Sequence, residues 1–217
     1  MWHIILIVVV VIWLSVLFYG SAYMSSQMFV RAITRLNDKS SILLTFDDGP
    51  HPQNTPLVLD VLRKHNHKAV FFCIASEAEK YPELVRRIVS EGHTVGSHTY
   101  QHSWRTIFYS KQRYLEELQR ADAVFKKIGV KIEYFRPPLG VVNGTIGWAC
   151  RAMGYKAMGW SVRSFDTRDE SRARVLCRIT KKLKGGSIIL LHDRLAEADV
   201  LADKVLEYFE REVRIKE

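Results

Sequence analysis

Ser41-Ile42-Leu43-Leu44-Thr45-Phe46-Asp47-Asp48-Gly49-Pro50 is an apolar run that stops at two adjacent carboxylates and a Gly-Pro turn. The run reads as a buried strand, and side-by-side carboxylates at its end repel each other and demand a positive partner. Outward from it, strand-like and helix-like stretches alternate without repeats or low complexity, which is the pattern of an α/β domain. Thr55-Pro56 reads as an N-cap with proline at the first helical position, leading into Leu57, Leu59, Val61 and Leu62. Residues 69–74 are continuously apolar, as for a strand covered on both faces. Pro82 opens a helix through Leu84, Val85 and Ile88 that Gly92 ends, and a short strand follows over 93–96. The clearest helix spans 110–128, with Tyr114, Leu118, Ala121, Phe125 and Ile128 spaced three or four apart and Gly129 closing it. Further strands are expected at 133–136, 156–162 and 187–192, with a last amphipathic helix over 196–212. Six or seven strands of this kind suit a parallel sheet, open or closed into a barrel, whose ligands gather at the C-terminal strand ends. Asp47, Asp48, His98, Arg136, Asp166 and His192 all fall at such ends.

A chain of 217 residues with 47% hydrophobic content holds one domain with a substantial core. A net charge of +9 suits anionic surfaces such as phospholipid or an acidic cell-wall polymer. Its basic residues are not interleaved with aromatics, so no nucleic-acid partner is expected. Cys73, Cys150 and Cys177 sit apart in apolar sequence and read as buried free thiols. Residues 4–23 carry no charge and match the ~20 residues that cross a bilayer as a helix, with Trp2, Tyr19 and Tyr23 where interfacial aromatics lie. No Lys or Arg precedes this run, and it is long for a cleavable signal. The expected organisation is therefore an anchor at 1–24, a basic linker at 25–39 and one globular domain at 40–217.

His98 and His102 are four apart, so a helical turn would bring both imidazoles to one face. With one carboxylate they would form a metal site with open positions, although a chance pair of histidines has the same spacing. Four motifs lie in order: Thr45-Phe46-Asp47-Asp48-Gly49-Pro50, His98-Thr99-Tyr100-Gln101-His102, Arg136-Pro137-Pro138-Leu139-Gly140 and Leu191-His192-Asp193. With these, residues 40 to 215 resemble the polysaccharide deacetylases, the NodB-homology group of carbohydrate esterase family 4.

The resemblance implies a distorted, incomplete (β/α) barrel and metal-dependent removal of acetyl groups, N-linked or O-linked, from glycans such as peptidoglycan or chitin-like oligomers. It implies Asp48, His98 and His102 as ligands of a divalent ion, zinc first and cobalt, nickel or manganese after it. Asp47 would be the base, Arg136 its bidentate tether, the Leu139 backbone N–H the oxyanion donor, and His192 the acid that protonates the leaving amine. Asp166 would orient His192. Amide hydrolysis needs each of these functions: an activated water, a stabilised oxyanion and a protonated amine.

A further motif, between the third of these and the last, departs from the family pattern. After Trp160-Ser161-Val162, Arg163 replaces an acid and Thr167 a tryptophan, and Leu139 stands where tyrosine is frequent. The surroundings of Arg136 must therefore differ. A glycan-binding module with a disabled site and a non-haem iron oxygenase are the competing readings. His51, His65, His67 and His93 read as structural, and Lys181, Lys182 and Lys184 as a solvated helix end, one of which could touch an acidic glycan. Arg31, Arg35 and Lys39 after the span favour a cytoplasmic domain, but the substrate class favours the outside. The expectation is one pass through the cytoplasmic membrane, with the domain periplasmic or extracellular.

Overall fold

A computed structural model describes residues 1–212; residues 213–217, the end of the expected catalytic domain, lie outside them. The apolar N-terminal run is one helix, α1 (Trp2–Ala22), long and apolar enough to cross a membrane. The expected linker contains a short strand, β1 (Ala32–Ile33). The acid pair ends β2 (Leu43–Asp47), and α2 (Asn54–Lys64) follows. Then come β3 (Ala69–Cys73), α3 (Ala75–Lys80), α4 (Pro82–Ser90), β4 (Thr94–Ser97) and α5 (Lys111–Ile128). The remainder is β5 (Tyr134–Phe135), α6 (Gly144–Ala152), β6 (Lys156–Met158), β7 (Val162–Arg163), α7 (Arg172–Thr180), β8 (Ile188–His192) and α8 (Ala198–Glu212).

Local chemistry explains most boundaries. The Ser110 hydroxyl accepts from the Arg113 N–H at 3.3 Å to cap α5, and Gly129 ends it at φ +95°, a left-handed conformation that glycine takes without Cβ strain. Thr55 is not the cap of α2. Its hydroxyl lies inside the first turn, accepts from the His51 N–H at 2.8 Å and donates to the Asp193 carboxylate at 2.5 Å, so it is committed to the site loops.

All paired strands are parallel, in the order β1-β6-β5-β4-β3-β2-β8-β7. β3 is buried along its whole length, as a strand covered on both faces must be. Its outward residues join the main core under the helices, whereas Val70 and Phe72 pack with Met158 and Ile188. Met158 and Ile188 belong to strands with four others between them in the sheet, so the sheet curls around this second cluster. The result is an incomplete barrel.

Two departures from expectation lie along the gap of that barrel. The run at 156–162 is two strands: β6 pairs with β5, then Gly159-Trp160-Ser161 crosses so that β7 pairs with β8 on the other side. Residues 25–39 run along the same gap. β1 pairs with β6, the Gly159 N–H donates to the Ile33 carbonyl at 2.9 Å, and the Leu36 N–H donates to the Gly186 carbonyl at 2.9 Å beside β8. Leu36 packs on the barrel-interior cluster. Cys73 and Cys150 are buried as expected, but Cys177 is exposed on α7.

Candidate active site

Because the strands are parallel, the residues at their C-terminal ends converge. They form a cleft of ≈ 220 Å³ lined by Asp47, Asp48, His98, His102, Leu139 and His192, with Trp160, Arg163 and Phe165 along one wall. Every site residue expected from the sequence reaches it directly or through one partner. Among the described residues eight non-glycine positions have positive φ, and Asp48, Thr99, His102, Leu139 and Phe165 are five of them. Such strain persists only where surrounding structure enforces it, and here it gathers around one cleft.

The acid pair divides at the strand end. Asp47, the last residue of β2, points Oδ1 at the Arg136 Nη1, 2.6 Å away, while its Oδ2 lies 3.8 Å from the His98 Nε2. Asp48, in the left-handed region at φ +73°, turns the other way. Its Oδ1 lies 3.4 Å from the His102 Nε2 and 3.6 Å from the His98 Nε2, and its Oδ2 accepts from the Arg194 Nε at 2.8 Å. Burial pushes the Asp48 carboxyl up, but the charges of His98 and His102 and the Arg194 hydrogen bond outweigh it and hold the carboxyl below its ordinary value.

His98 and His102 meet without a helical turn. β4 ends at Ser97, and a loop with Thr99 at φ +67° and His102 at φ +52° folds back to bring the two rings to 4.6 Å between centroids. Burial, then the neighbouring His98, pushes the His102 imidazole down to about 4, so it is neutral at neutral pH and its lone pair is free. His98 Nδ1 sits 2.7 Å from the Arg136 carbonyl, an acceptor only, so Nδ1 carries the hydrogen and Nε2 presents its lone pair. Asp48, His98 and His102 each offer one atom, all within 4.8 Å of one another, and Asp48 Oδ1 is buried with no hydrogen-bond partner among the described residues. Two imidazole nitrogens and an unpartnered carboxylate oxygen, converging on one point, fit a divalent cation.

Arg136 is fully buried, and its pair with Asp47 is not the expected bidentate one. Nη1 contacts Asp47 and the Thr45 hydroxyl (2.8 Å), Nε donates to the Met158 carbonyl at 3.0 Å, and Nη2 donates to the Gly159 carbonyl at 2.8 Å. Two of the three guanidinium nitrogens are thus held by main-chain oxygens at the end of β6 and the start of the crossing. Arg163 turns outward over Trp160 (5.5 Å) and Phe165 (4.8 Å). Asp166 Oδ1 lies 2.8 Å from the His192 Nδ1, and its Oδ2 accepts from the His192 N–H at 2.9 Å. Burial lowers the His192 imidazole, but the Asp166 hydrogen bond and the charges of Asp166, Asp47 and Asp48 more than offset it, leaving His192 above its ordinary value.

Three participants escape a reading of the sequence. Arg194 binds Asp48, and its only signal is its place two residues after His192. Thr45 braces Arg136 from within the first motif. Asp193 is buried under Gly49 and Thr55, and burial pushes its carboxyl up to about 7.

The family described as polysaccharide deacetylase matches residues 35–158. The peptidoglycan-N-acetylglucosamine deacetylase PgdA of Listeria monocytogenes is 35% identical over 171 residues, 79% of this chain but only 36% of that protein, so the chain spans about a third of that relative. A peptidoglycan-N-acetylglucosamine deacetylase of Bacillus cereus is 34% identical over 160 residues, covering 72% of this chain and 74% of that one. The solved structure of the peptidoglycan deacetylase PdaC from Bacillus subtilis superposes with a TM-score of 0.73 at 30% identity, covering 80% of this chain and 84% of that one. With the motifs, the incomplete barrel and these relatives in agreement, the chain belongs to the polysaccharide deacetylase family.

Proposed function

We propose that this chain is a metal-dependent hydrolase that removes N-acetyl groups from an amino-sugar glycan, anchored by α1 in the cytoplasmic membrane with its catalytic domain on the periplasmic or extracellular side. One observation carries the reading. An unpartnered Asp48 Oδ1 faces two imidazole Nε2 atoms at 3.4 and 3.6 Å, while its neighbour Asp47 is held away on Arg136. Asp48, His98 and His102 would hold the metal, with zinc the first choice for a two-histidine, one-carboxylate set and cobalt, nickel or manganese alternatives. A divalent ion bound there lowers the pKa of its water and polarises the acetyl carbonyl.

The chain's own groups supply the rest. Asp47 has Oδ1 occupied by Arg136, which leaves Oδ2 to accept a proton as the water oxygen bonds to the acetyl carbon. The carbonyl oxygen becomes an oxyanion beside Leu139, whose left-handed backbone (φ +60°) sits at the cleft edge and whose N–H is the proposed donor. Asp166 holds the Nδ1 of His192, so Nε2 is the atom that protonates the amide nitrogen as the C–N bond breaks. Acetate and a free amine leave. The names of the relatives support an N-acetylated glycan substrate.

The test is acetate release by the zinc-loaded full chain, in detergent, from chito-oligosaccharides and from peptidoglycan fragments. Full length matters because a cut at residue 39 removes β1 and Leu36, which bridge the barrel gap. Glycan binding without acetate release would favour a binding module, and oxygen consumption with ferrous iron would favour an oxygenase. A C-terminal reporter active only outside the cytoplasm tests the topology.

A further inference from the structure

Beside the cleft lies a second cavity of ≈ 310 Å³ lined by Ala22, Tyr23, Met24 and Ser25 at the end of α1, and by Trp160, Arg163, Phe165 and Lys182. It shares Trp160, Arg163 and Phe165 with the cleft, so the two are continuous along the face of Arg163. Its lining contains two cations and no carboxylate, and neither Arg163 nor Lys182 forms an ion pair among the described residues. Trp160 and Phe165 stack against the Arg163 guanidinium and hold it at the junction.

The helix end is seated next to the reacting loop. The Ser21 carbonyl accepts from the Val142 N–H at 3.0 Å, at the end of the loop that carries Leu139 and Gly140. Asn143, next in the chain, donates to the Ile107 carbonyl at 2.9 Å and ties in the turn Trp104–Phe108. Leu139, Trp104 and Phe108 are all exposed, at 54%, 59% and 76%. Tyr19 and Tyr23, with rings 5.2 Å apart, sit where interfacial aromatics mark the bilayer surface. The mouth of the cleft therefore lies close to the end of α1, with Leu139 exposed on it and a cationic cavity between it and the helix.

We infer that the substrate is carried by the membrane itself: an N-acetylated saccharide joined to a lipid through phosphate, with the phosphate on Arg163 and Lys182 and the sugar in the cleft. This deepens the proposed function and rests on α1 crossing the bilayer. Arg offers a planar fork that matches phosphate oxygens, and Lys182 adds a point charge on the solvent side. The geometry also gives Arg163 a purpose that its position over Trp160 does not otherwise explain. An acid there would repel the same phosphate.

The experiment uses full-length protein in phosphatidylglycerol nanodiscs, with three substrates: N-acetylglucosamine on a polyprenyl diphosphate, water-soluble N-acetylglucosamine 1-phosphate, and unphosphorylated chitotriose. The lipid-linked sugar should have at least a tenfold higher kcat/KM than either soluble one, and Arg163→Ala with Lys182→Ala should cut that preference at least tenfold. Equal use of the soluble phosphate would overturn the lipid, and equal use of chitotriose would overturn the phosphate. Binding to the Asp47→Asn protein is read independently of turnover. If that protein binds the lipid-linked sugar at least tenfold more tightly than chitotriose and yet the wild type hydrolyses nothing, the inference stands and the deacetylase reading falls. If it binds both alike, the inference falls.

Discussion

The chain has two groups of three histidines at opposite ends of one parallel sheet, and they behave differently for reasons that have nothing to do with histidine itself. His98, His102 and His192 lie at the C-terminal ends of their strands, whereas His65, His67 and His93 lie before the N-terminal ends of β3 and β4. Burial lowers His102 and His67 alike, each to about 4. His102 faces a carboxylate oxygen that has no hydrogen-bond partner, beside an open cleft. At the other end both ring nitrogens of His65 are taken, by Asp203 at 2.6 Å and Glu210 at 3.2 Å. His93 Nδ1 accepts from the Ala69 N–H at 3.3 Å, and His67 Nε2 is buried without a hydrogen-bond partner among the described residues. A lowered pKa therefore reports burial; a convergent, unfilled set of ligand atoms is what distinguishes a site.

The largest effect expected from this contrast is loss of the metal. Chelation of the zinc-loaded protein, or His98→Ala, should reduce acetate release by on the order of 10⁴-fold, with metal stoichiometry falling in step, because activation of the water and of the carbonyl are lost together. His93→Ala should leave metal stoichiometry unchanged, and loss of metal there would break the comparison. Next is Asp47→Asn, for which kcat should fall about 10³-fold while bound metal stays at wild-type level, since Asp47 acts on the proton and not as a ligand. Metal loss in that variant would overturn the division of labour between the two acids.

Asp166→Asn should cost less, roughly tenfold to a hundredfold in kcat, and it carries a pH signature. Asp166 supplies the hydrogen bond and the nearest charge that raise His192 against the effect of burial. Removing that carboxylate takes away the largest upward influence on His192, so its pKa falls. His192 must be protonated to act as the acid, and the alkaline limb of the rate profile should therefore move to lower pH. An unmoved limb would remove His192 from the role of acid.

Much of this site was legible because its signals are local. An apolar run ending in Asp47-Asp48 marks β2 and its C-terminal end, and helical spacing from Tyr114 to Ile128 marks α5. What was not legible depends on distant partners. Nothing in Ala32–Ile33 announces a strand until β6 is beside it, which is why residues 25–39 read as a linker. The stretch 156–162 reads as one strand, and only the sheet order shows that it changes neighbours at Gly159. The fourfold spacing of His98 and His102 gave the right pair for the wrong reason, since left-handed residues Thr99 and His102, and not a helix, bring them together. The main-chain oxygens that hold Arg136 carry no residue-type signature, so these partners of the guanidinium could not be read from the sequence.

The smallest expected effect tests the other end of the sheet, and its sign follows from linkage. His67 titrates at about 4 when folded against 6.5 as an unperturbed group, with burial the main cause and Glu210 working against it. As pH falls below 6.5 the unfolded chain takes up a proton that the folded chain refuses, so stability drops by about 1 kcal/mol per pH unit until the folded pKa is reached. Above 6.5 the contribution vanishes. His67→Leu removes this proton and the unpartnered Nε2 with it. Chemical denaturation at pH 7.5 and pH 5.5 should show the wild type losing about 1 kcal/mol more than the variant between the two. Metal content and acetate release per folded molecule should match wild type at pH 7.5, because His67 lies before β3 and the cleft opens at its far end. His102 has the same depressed value but, with metal bound, a proton must displace the ion to reach it. Acid should therefore remove activity through His102 and stability through His67, and a His67→Leu protein that held its metal to lower pH than wild type would show the two ends to be coupled.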